Sequence, residues 1–236
     1  MENKLRTYKD AVVIITGGAS GIGRALAEEL AGRGASIIIA DLQIELAREV
    51  AAGINSRGGR AEALSLDVTD SVAVKNLFEG VYQKQGRLDY IFNNAGIAIF
   101  GEATQYSHED WEKVLKVNLH GVVHGVEAAY PIMIKQGFGH IVNTASMAGL
   151  IVVPYLLSYV ATKYAVLGLS KTLRIEARPY GVKVSVICPG VIRTPIMDGG
   201  KFGKMLIDLP EDAMTKMERY FRPMSPDIFA RKVINK

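Results

Sequence analysis

The 236-residue sequence predicts one doubly wound α/β domain, a three-layer α/β/α arrangement around a parallel sheet. Two observations carry that expectation. Short β-branched runs alternate with segments of helical length and period. Those runs are apolar throughout instead of alternating, the pattern of strands covered on both faces. No Pro/Gly/Ser-rich linker, composition shift or short internal repeat divides the pattern, so a single domain over 1–236 is expected.

Residues 12–16 read as the first strand, closed by Gly17 and Gly18. Ile22, Ala25, Leu26 and Leu30 then recur at helical spacing as far as Gly32 and Gly34. A buried strand at 36–40 follows, then a helix through Leu46 and Val50 that ends near Gly58-Gly59. Further strands are expected at 63–66, 88–92, 140–144 and 183–187, with helices between them. Beyond Pro189 the character changes. Gly199-Gly200, Pro210 and Pro223 stand among scattered Met, Phe and Leu, which predicts an excursion over a site mouth at about 191–225 before Pro226 opens a last helix.

Apolar residues at 49% against 22% charged give the balance of a chain that folds around a core. The formal charge of +4 comes from 28 basic and 24 acidic residues without a Lys/Arg stripe, which argues against nucleic-acid binding and for mild attraction to anionic ligands. The single cysteine, Cys188, excludes an internal disulfide framework and fits a reducing compartment, so a cytoplasmic location is expected. Residues 1–10 are charged and lack the apolar region of an export signal. The apolar stretch 150–169 contains Pro154, Ser158, Thr162 and Lys163, and reads as a buried helix with its approach loop, not as a membrane span.

Thr16, Gly17, Gly21 and Gly23 spell T-G-x3-G-x-G between a predicted strand and a predicted helix. Glycines there permit a tight turn and let a pyrophosphate approach the backbone, while the helix N-terminus offers free N–H groups and its dipole to the anion. A tight turn that binds nothing has the same letters, so context decides. Asp41 ends the second strand 18 residues after Gly23, where a carboxylate accepts bonds from ribose hydroxyls and repels a 2′-phosphate. This favours NAD over NADP; Arg24 is the opposing charge, placed either toward a phosphate or toward solvent. Asp67 and Val68 follow the third strand, with an adenine contact and a helix N-cap by Asp67 both open.

Tyr159 and Lys163 are four residues apart in a predicted helix and share one face; Ser146 lies 13 residues upstream at a strand end. The three can converge on one carbonyl. A phenol with a pKa near 10 is a poor acid-base group at neutral pH, and the Lys163 ammonium is expected to bring it down.

With these residues in place the chain resembles the classical short-chain dehydrogenases/reductases, from about Asp10 to Thr194 and with the motifs in order. Residues 16–23 resemble the family's cofactor turn, Asn93-Asn94-Ala95-Gly96 its sheet-stabilising motif, and Asn118 with Ser146, Tyr159 and Lys163 its catalytic tetrad. Pro189-Gly190, with Ile192 and Thr194, resembles its P-G-x3-T contact to nicotinamide and pyrophosphate. Ser20, where NADP-preferring relatives often carry a basic residue, agrees with Asp41.

The resemblance implies a Rossmann-type sheet and an NAD(H)-dependent oxidoreductase that interconverts a secondary alcohol and a ketone. Cofactor contacts are then expected from Gly17, Ser20, Gly21, Ile22, Gly23, Asp41, Leu42, Asp67 and Val68 at the adenosine and pyrophosphate end. Asn94, Ala95, Gly96, Tyr159, Lys163, Pro189, Gly190, Ile192 and Thr194 are expected at the nicotinamide end. Tyr159 would exchange the alcohol proton, Ser146 would bond the substrate oxygen, and Lys163 would hold the nicotinamide ribose. Asn118 would interrupt its helix and position a water. The helix carrying Trp111 and Tyr130 resembles the family's dimerisation helix, which implies a homodimer or homotetramer. Family members continue past the last helix into another strand, whereas this sequence stops at Asn235-Lys236 within a predicted helix.

Tyr155, Met197, Phe202, Met205, Leu206, Leu209 and Phe221 are expected to form an apolar mouth suited to a lipophilic or alicyclic alcohol, with substrate contacts from Ser146, Tyr155, Tyr159 and Met197. Two other readings stand beside this one. An NADPH-dependent 3-oxoacyl thioester reductase would need Asp41 to be tolerated near a 2′-phosphate; a non-catalytic dinucleotide sensor would not need the intact tetrad. His120 and His124 have no third ligand at suitable spacing, so no metal is expected. Cys188, beside Pro189, reads as an inert thiol.

Overall fold

The computed structural model describes residues 4–197, 202–207, 219–220 and 222–235. Its strands are β1 (Val12–Thr16), β2 (Ser36–Asp41), β3 (Arg60–Ser65), β4 (Tyr90–Asn93), β5 (Ala98–Phe100), β6 (Gly139–Thr144), β7 (Val182–Ile187) and β8 (Gly203–Met205). Six of them make one sheet in the order β3-β2-β1-β4-β6-β7, every pair parallel. Strand order runs outward from β1 in one direction and from β4 in the other. The chain reverses between those two, and a crevice opens at that switch above the carboxyl ends.

Side chains alternate along β1 between two covered faces. Val13 and Ile15, with Ile37 and Ile39 of β2, pack under α1 (Gly21–Gly32), α2 (Ile44–Ser56) and α7 (Pro226–Ile234). Val12, Ile14, Ile38, Ile91 and Ile141 pack under α3 (Ser71–Gln85), α5 (Gly121–Gln136) and α6 (Leu157–Ala177). Cover on both sides is why these strands read as unbroken apolar runs, and each fully buried aliphatic side chain contributes roughly 1.5–3 kcal/mol. α4 (His108–Leu115) joins α5 through a π-helical turn at Lys116–His120.

Three elements depart from the sequence expectation. β3 begins at Arg60, earlier than 63, because an edge strand needs apolar cover on only part of its surface; Glu62 faces out to Lys84 at 2.7 Å. Leu88 is buried but lies outside β4, its N–H and C=O bonded by the Gln136 side-chain amide at 3.0 and 2.7 Å in place of a neighbouring strand. β8, within the stretch expected as an excursion, pairs in parallel with β5 as a separate two-stranded ribbon. α7 runs to Ile234, where Tyr8 and Arg33 reach its last carbonyl.

The amino edge of the sheet holds a buried ion pair. Arg87 grips Asp89 with two nitrogens, and Asp89 also accepts the backbone N–H of Val12 at 2.9 Å and of Arg6 at 3.2 Å. Asp89 is fully buried, so its charge depends on those four donors. Nearby His140 bonds Ser185 Oγ at 2.9 Å, and burial, with Lys183 adding repulsion, pushes its imidazole down to about 4. The neutral ring is therefore the folded form. Unfolded chain takes up a proton first, so the stability this group contributes is whole above pH 6.5 and is lost as pH falls toward about 4.

Asp89→Ala is expected to lower the unfolding free energy by about 3–5 kcal/mol, read from urea denaturation with an unchanged slope. His140→Gln is expected to flatten the loss of stability between pH 6.5 and 4 by on the order of 2 kcal/mol; a slope equal to the parent's would refute the assignment.

Candidate active site

The crevice is a cleft of about 1290 Å³ running from Asp41 and Leu42 at one end to Tyr155, Phe202 and Met205 at the other. Its floor is the glycine turn. Gly17 takes φ +64°, and a β-carbon there would fall 2.8 Å from the Ala95 α-carbon. A β-carbon on Gly23 would run into the Gly17 carbonyl and lie 2.6 Å from Asn94 Nδ2. Only glycine lets turn, helix and β4 close on one another. Thr16 Oγ1 accepts the Asn94 and Ala95 N–H groups at 3.0 and 3.2 Å, and Asn94 Nδ2 donates to the Thr16 and Gly17 carbonyls.

α1 starts on this turn with Ser20 at its N-cap, and no side chain caps it. Its first turn carries no acidic residue, and Ser20, Gly21 and Ile22 line the cleft. Free first-turn amides and a positive helix end suit a pyrophosphate, so the turn fits the group the motif implies. Thr194 stands over Gly21, its methyl 3.0 Å from where a β-carbon would be. Asp41 accepts Ala19 N–H at 3.0 Å through one oxygen and Gln43 N–H at 2.9 Å through the other. The carboxylate is thus fixed at the strand end, with lone pairs left for hydroxyl donors. Asp67 does not cap α3. It accepts the amide and hydroxyl of Thr69 in a local turn at the cleft wall, and Asp70 caps the helix through Val72 and Ala73.

At the other end, Ser146 leaves the tip of β6, and Tyr159 and Lys163 project from α6 into the same cleft. Lys163 Nζ donates to the Thr144 carbonyl at 2.9 Å and stands 5.3 Å from the Tyr159 ring centre. Burial pushes the Lys163 ammonium down to about 8. Burial likewise pushes the Tyr159 phenol up, with a hydrogen bond from Ser146 opposing it. This reverses the lowering expected from Lys163. The ammonium is aimed at the strand end, and burial of the phenol sets the direction.

Asn118 lies outside the cleft wall, fully buried in the π-helical turn. Its side chain is spent on structure: Oδ1 accepts Ile97 N–H at 2.9 Å, and Nδ2 donates to Ile97 O at 2.9 Å and toward Thr162 Oγ1 at 3.4 Å. The local interruption of its helix is present as expected. Asn118 and Lys163 meet at Gly96, where a β-carbon would lie 3.4 Å from Asn118 Oδ1 and 3.6 Å from Lys163 Nζ.

Val68, Ala95, Pro189, Gly190 and Ile192 line the cleft, and Gly23 packs beneath it. Leu206 does not. It is wedged against Gly101 and packs with Ile97, Ile99 and Val114 below the mouth. Leu209 and Phe221 fall outside the described residues, as does the side chain of Met197. The sequence reading missed Ile97, Phe100, Met147, Ile151, Val153, Leu156 and Ile207, which also line the wall. Their signal is position, since all but Ile207 lie within about ten residues after Gly96 or Ser146. His124 Nδ1 bonds the Val68 carbonyl at 2.9 Å, and its ring lies 6.4 Å from that of His120. Cys188 is half-buried, its thiol pushed up by burial. Among the described residues no three His, Cys, Asp or Glu side chains are grouped to hold a metal, and no helix is long and apolar enough to cross a membrane.

Known proteins are similar to this chain in sequence and in fold. A cyclohexanol dehydrogenase of an Acinetobacter species is 36% identical over 200 residues, covering 84% of this chain and 78% of that one. The crystal structure of levodione reductase superposes with a TM-score of 0.87 at 31% identity, over 96% of this chain and 90% of that one. A short-chain dehydrogenase/reductase from Burkholderia phymatum, solved in complex with NAD, gives 0.85 at 30% identity over 98% and 86%. The family model for short chain dehydrogenase matches residues 11–201. The chain belongs to the short-chain dehydrogenase/reductase family and is an oxidoreductase acting on CH–OH groups.

Proposed function

We propose that the chain interconverts a secondary alcohol and a ketone with NAD(H), on a lipophilic or alicyclic substrate. The observation that carries this reading is the convergence of Ser146, Tyr159 and Lys163 in one cleft whose mouth is apolar and whose far end holds Asp41. Asp41 favours NAD because a 2′-phosphate would bring negative charge against a fixed, largely buried carboxylate. The relatives named for cyclohexanol and levodione act on ring compounds, in keeping with an apolar mouth. The segment at about 191–225 supplies part of that mouth through Phe202, Met205 and Ile207.

When bound, the nicotinamide supplies a hydride acceptor or donor at the substrate carbon. The remaining work falls to this chain. Ser146, extended at the strand end, bonds the Tyr159 phenol and can turn its one hydroxyl proton to the substrate oxygen. Tyr159, held protonated by burial, gives its proton to the ketone oxygen during reduction and takes it back during oxidation. Lys163, near its own midpoint at about pH 8, holds positive charge beside the phenol and is placed to hold the nicotinamide ribose. Asn118 keeps Ile97 and α6 in register, so a water it positions would be held by its backbone and not by its committed side chain. Tyr155 and the apolar wall exclude water and orient the ring.

Fluorescence titration is expected to show NADH binding and NADPH binding weaker by roughly tenfold or more; preference for NADPH would overturn the role given to Asp41. Tyr159→Phe is expected to keep NADH affinity while turnover of cyclohexanol falls by about 10²–10⁴-fold. Gly23→Ala, in contrast, is expected to lose NADH binding by more than tenfold, because the added carbon meets the Gly17 carbonyl and Asn94.

A further inference from the structure

Two walls of the cleft mouth are tied to one short segment. Ser107 and Asp110 cap α4 reciprocally: Ser107 N–H and Oγ donate to Asp110 Oδ2 at 3.0 and 2.8 Å, and Asp110 N–H donates to Ser107 Oγ at 3.1 Å. That leaves Asp110 Oδ1 facing outward, and it receives Lys204 Nζ of β8 at 3.1 Å. Gln105 Nε2 adds a bond to the Leu206 carbonyl at 3.0 Å. β8 and the residue after it pair with β5, Leu206 N–H donating to Phe100 O at 2.7 Å. The ribbon that presents Phe100, Met205 and Ile207 to the cleft is outside the main sheet, so these contacts hold it.

The other wall is Tyr155. It is a non-glycine residue at φ +66°, a left-handed conformation that persists only where surroundings impose it. Its carbonyl accepts Gly101 N–H at 2.9 Å, and the Tyr106 hydroxyl lies 3.3 Å from the same carbonyl and 2.5 Å from Ile99 O. Tyr106 directly precedes Ser107, the cap partner of Asp110, and its hydroxyl reaches the second wall.

We propose that Tyr106 and the Lys204–Asp110 pair are positioning residues that set the width of the cleft mouth and so the size of ring the enzyme accepts. They touch neither cofactor nor reacting atoms, and act through β8 and Tyr155. This rests on the alcohol-ketone reading for its kinetic test. Lys204 is half-exposed and Asp110 buried, so the pair is worth the upper part of the range for surface ion pairs, a factor of about five at most.

The test compares oxidation of cyclohexanol and of propan-2-ol by the whole chain with NAD, together with hydrogen exchange of the backbone amides at 203–206. Lys204→Met is expected to raise KM for cyclohexanol about three- to fivefold, with kcat and NADH affinity unchanged, and with a smaller rise for propan-2-ol. Lys204→Arg is expected to restore KM. Tyr106→Phe is expected to raise the cyclohexanol KM in the same way. Exchange at 203–206 is expected to speed up in Lys204→Met and return in Lys204→Arg. An unchanged KM, or kcat falling together with NADH affinity, overturns the proposal. Should the parent oxidise neither alcohol, the alcohol-ketone reading fails by itself. In that case exchange decides, and unaltered protection in Lys204→Met removes the ion pair as the holder of the ribbon.

Discussion

The arrangement depends on backbone touching backbone at the glycine turn. Gly17 lies against Ala95, Gly23 lies against the Gly17 carbonyl, and Asn94 and Thr16 bind the two segments together where no side-chain carbon fits between them. That contact joins β1 to β4 at the carboxyl edge, where strand order reverses. It sets where α1 begins, and with it the direction in which the free amides of the helix point. It also fixes Gly96, around which Asn118 and Lys163 assemble. One constraint on close approach therefore positions both ends of a cleft that spans the sheet.

Above that floor the groups that matter are held by buried polar bonds. Asn93 Nδ2 donates to Asn143 Oδ1 at 2.8 Å, Asn143 Nδ2 to Ser170 Oγ at 3.0 Å, and Ser170 Oγ to the Val166 carbonyl at 2.6 Å. The chain of bonds crosses from β4 through β6 to α6, the helix that carries Tyr159 and Lys163. Each such bond contributes only about 0.5–1.5 kcal/mol net, but losing one partner leaves the other buried without water. The helix is accordingly held in one rotation and one height against the strand that leads to Ser146. Energy is spent on precision of placement more than on stability.

Much of this was legible from residues alone, for identifiable reasons. Strands covered on both faces announce themselves as apolar runs, so β1, β2, β6 and β7 were placed within a residue or two. The glycine spacing, Asp41 and the pair Tyr159 and Lys163 obey local geometry, and local geometry survives folding. What failed depended on the third dimension. β3 hid behind Arg60 and Glu62 because an edge is half wet. Leu88 was assigned to a strand because nothing in its neighbourhood reveals that Gln136, 48 residues away, replaces one. The letters place Leu206 in the mouth because apolar character does not say which cluster will take it. A charged neighbour of Tyr159 is visible in the letters, whereas the burial that raises its phenol is not.

The sheet separates two kinds of demand by its edges. Arg87, Asp89 and His140 hold the amino edge, while the chemistry gathers at the carboxyl edge and the ribbon of β5 and β8 stands outside the sheet altogether. The side chains that the ribbon turns to the cleft, Phe100 and Met205, can therefore be exchanged without removing a strand from the ladder or a side chain from the main core. In evolutionary terms the ribbon is a replaceable cassette. A change there alters the mouth of the cleft while the apparatus that makes the chain fold is inherited unchanged.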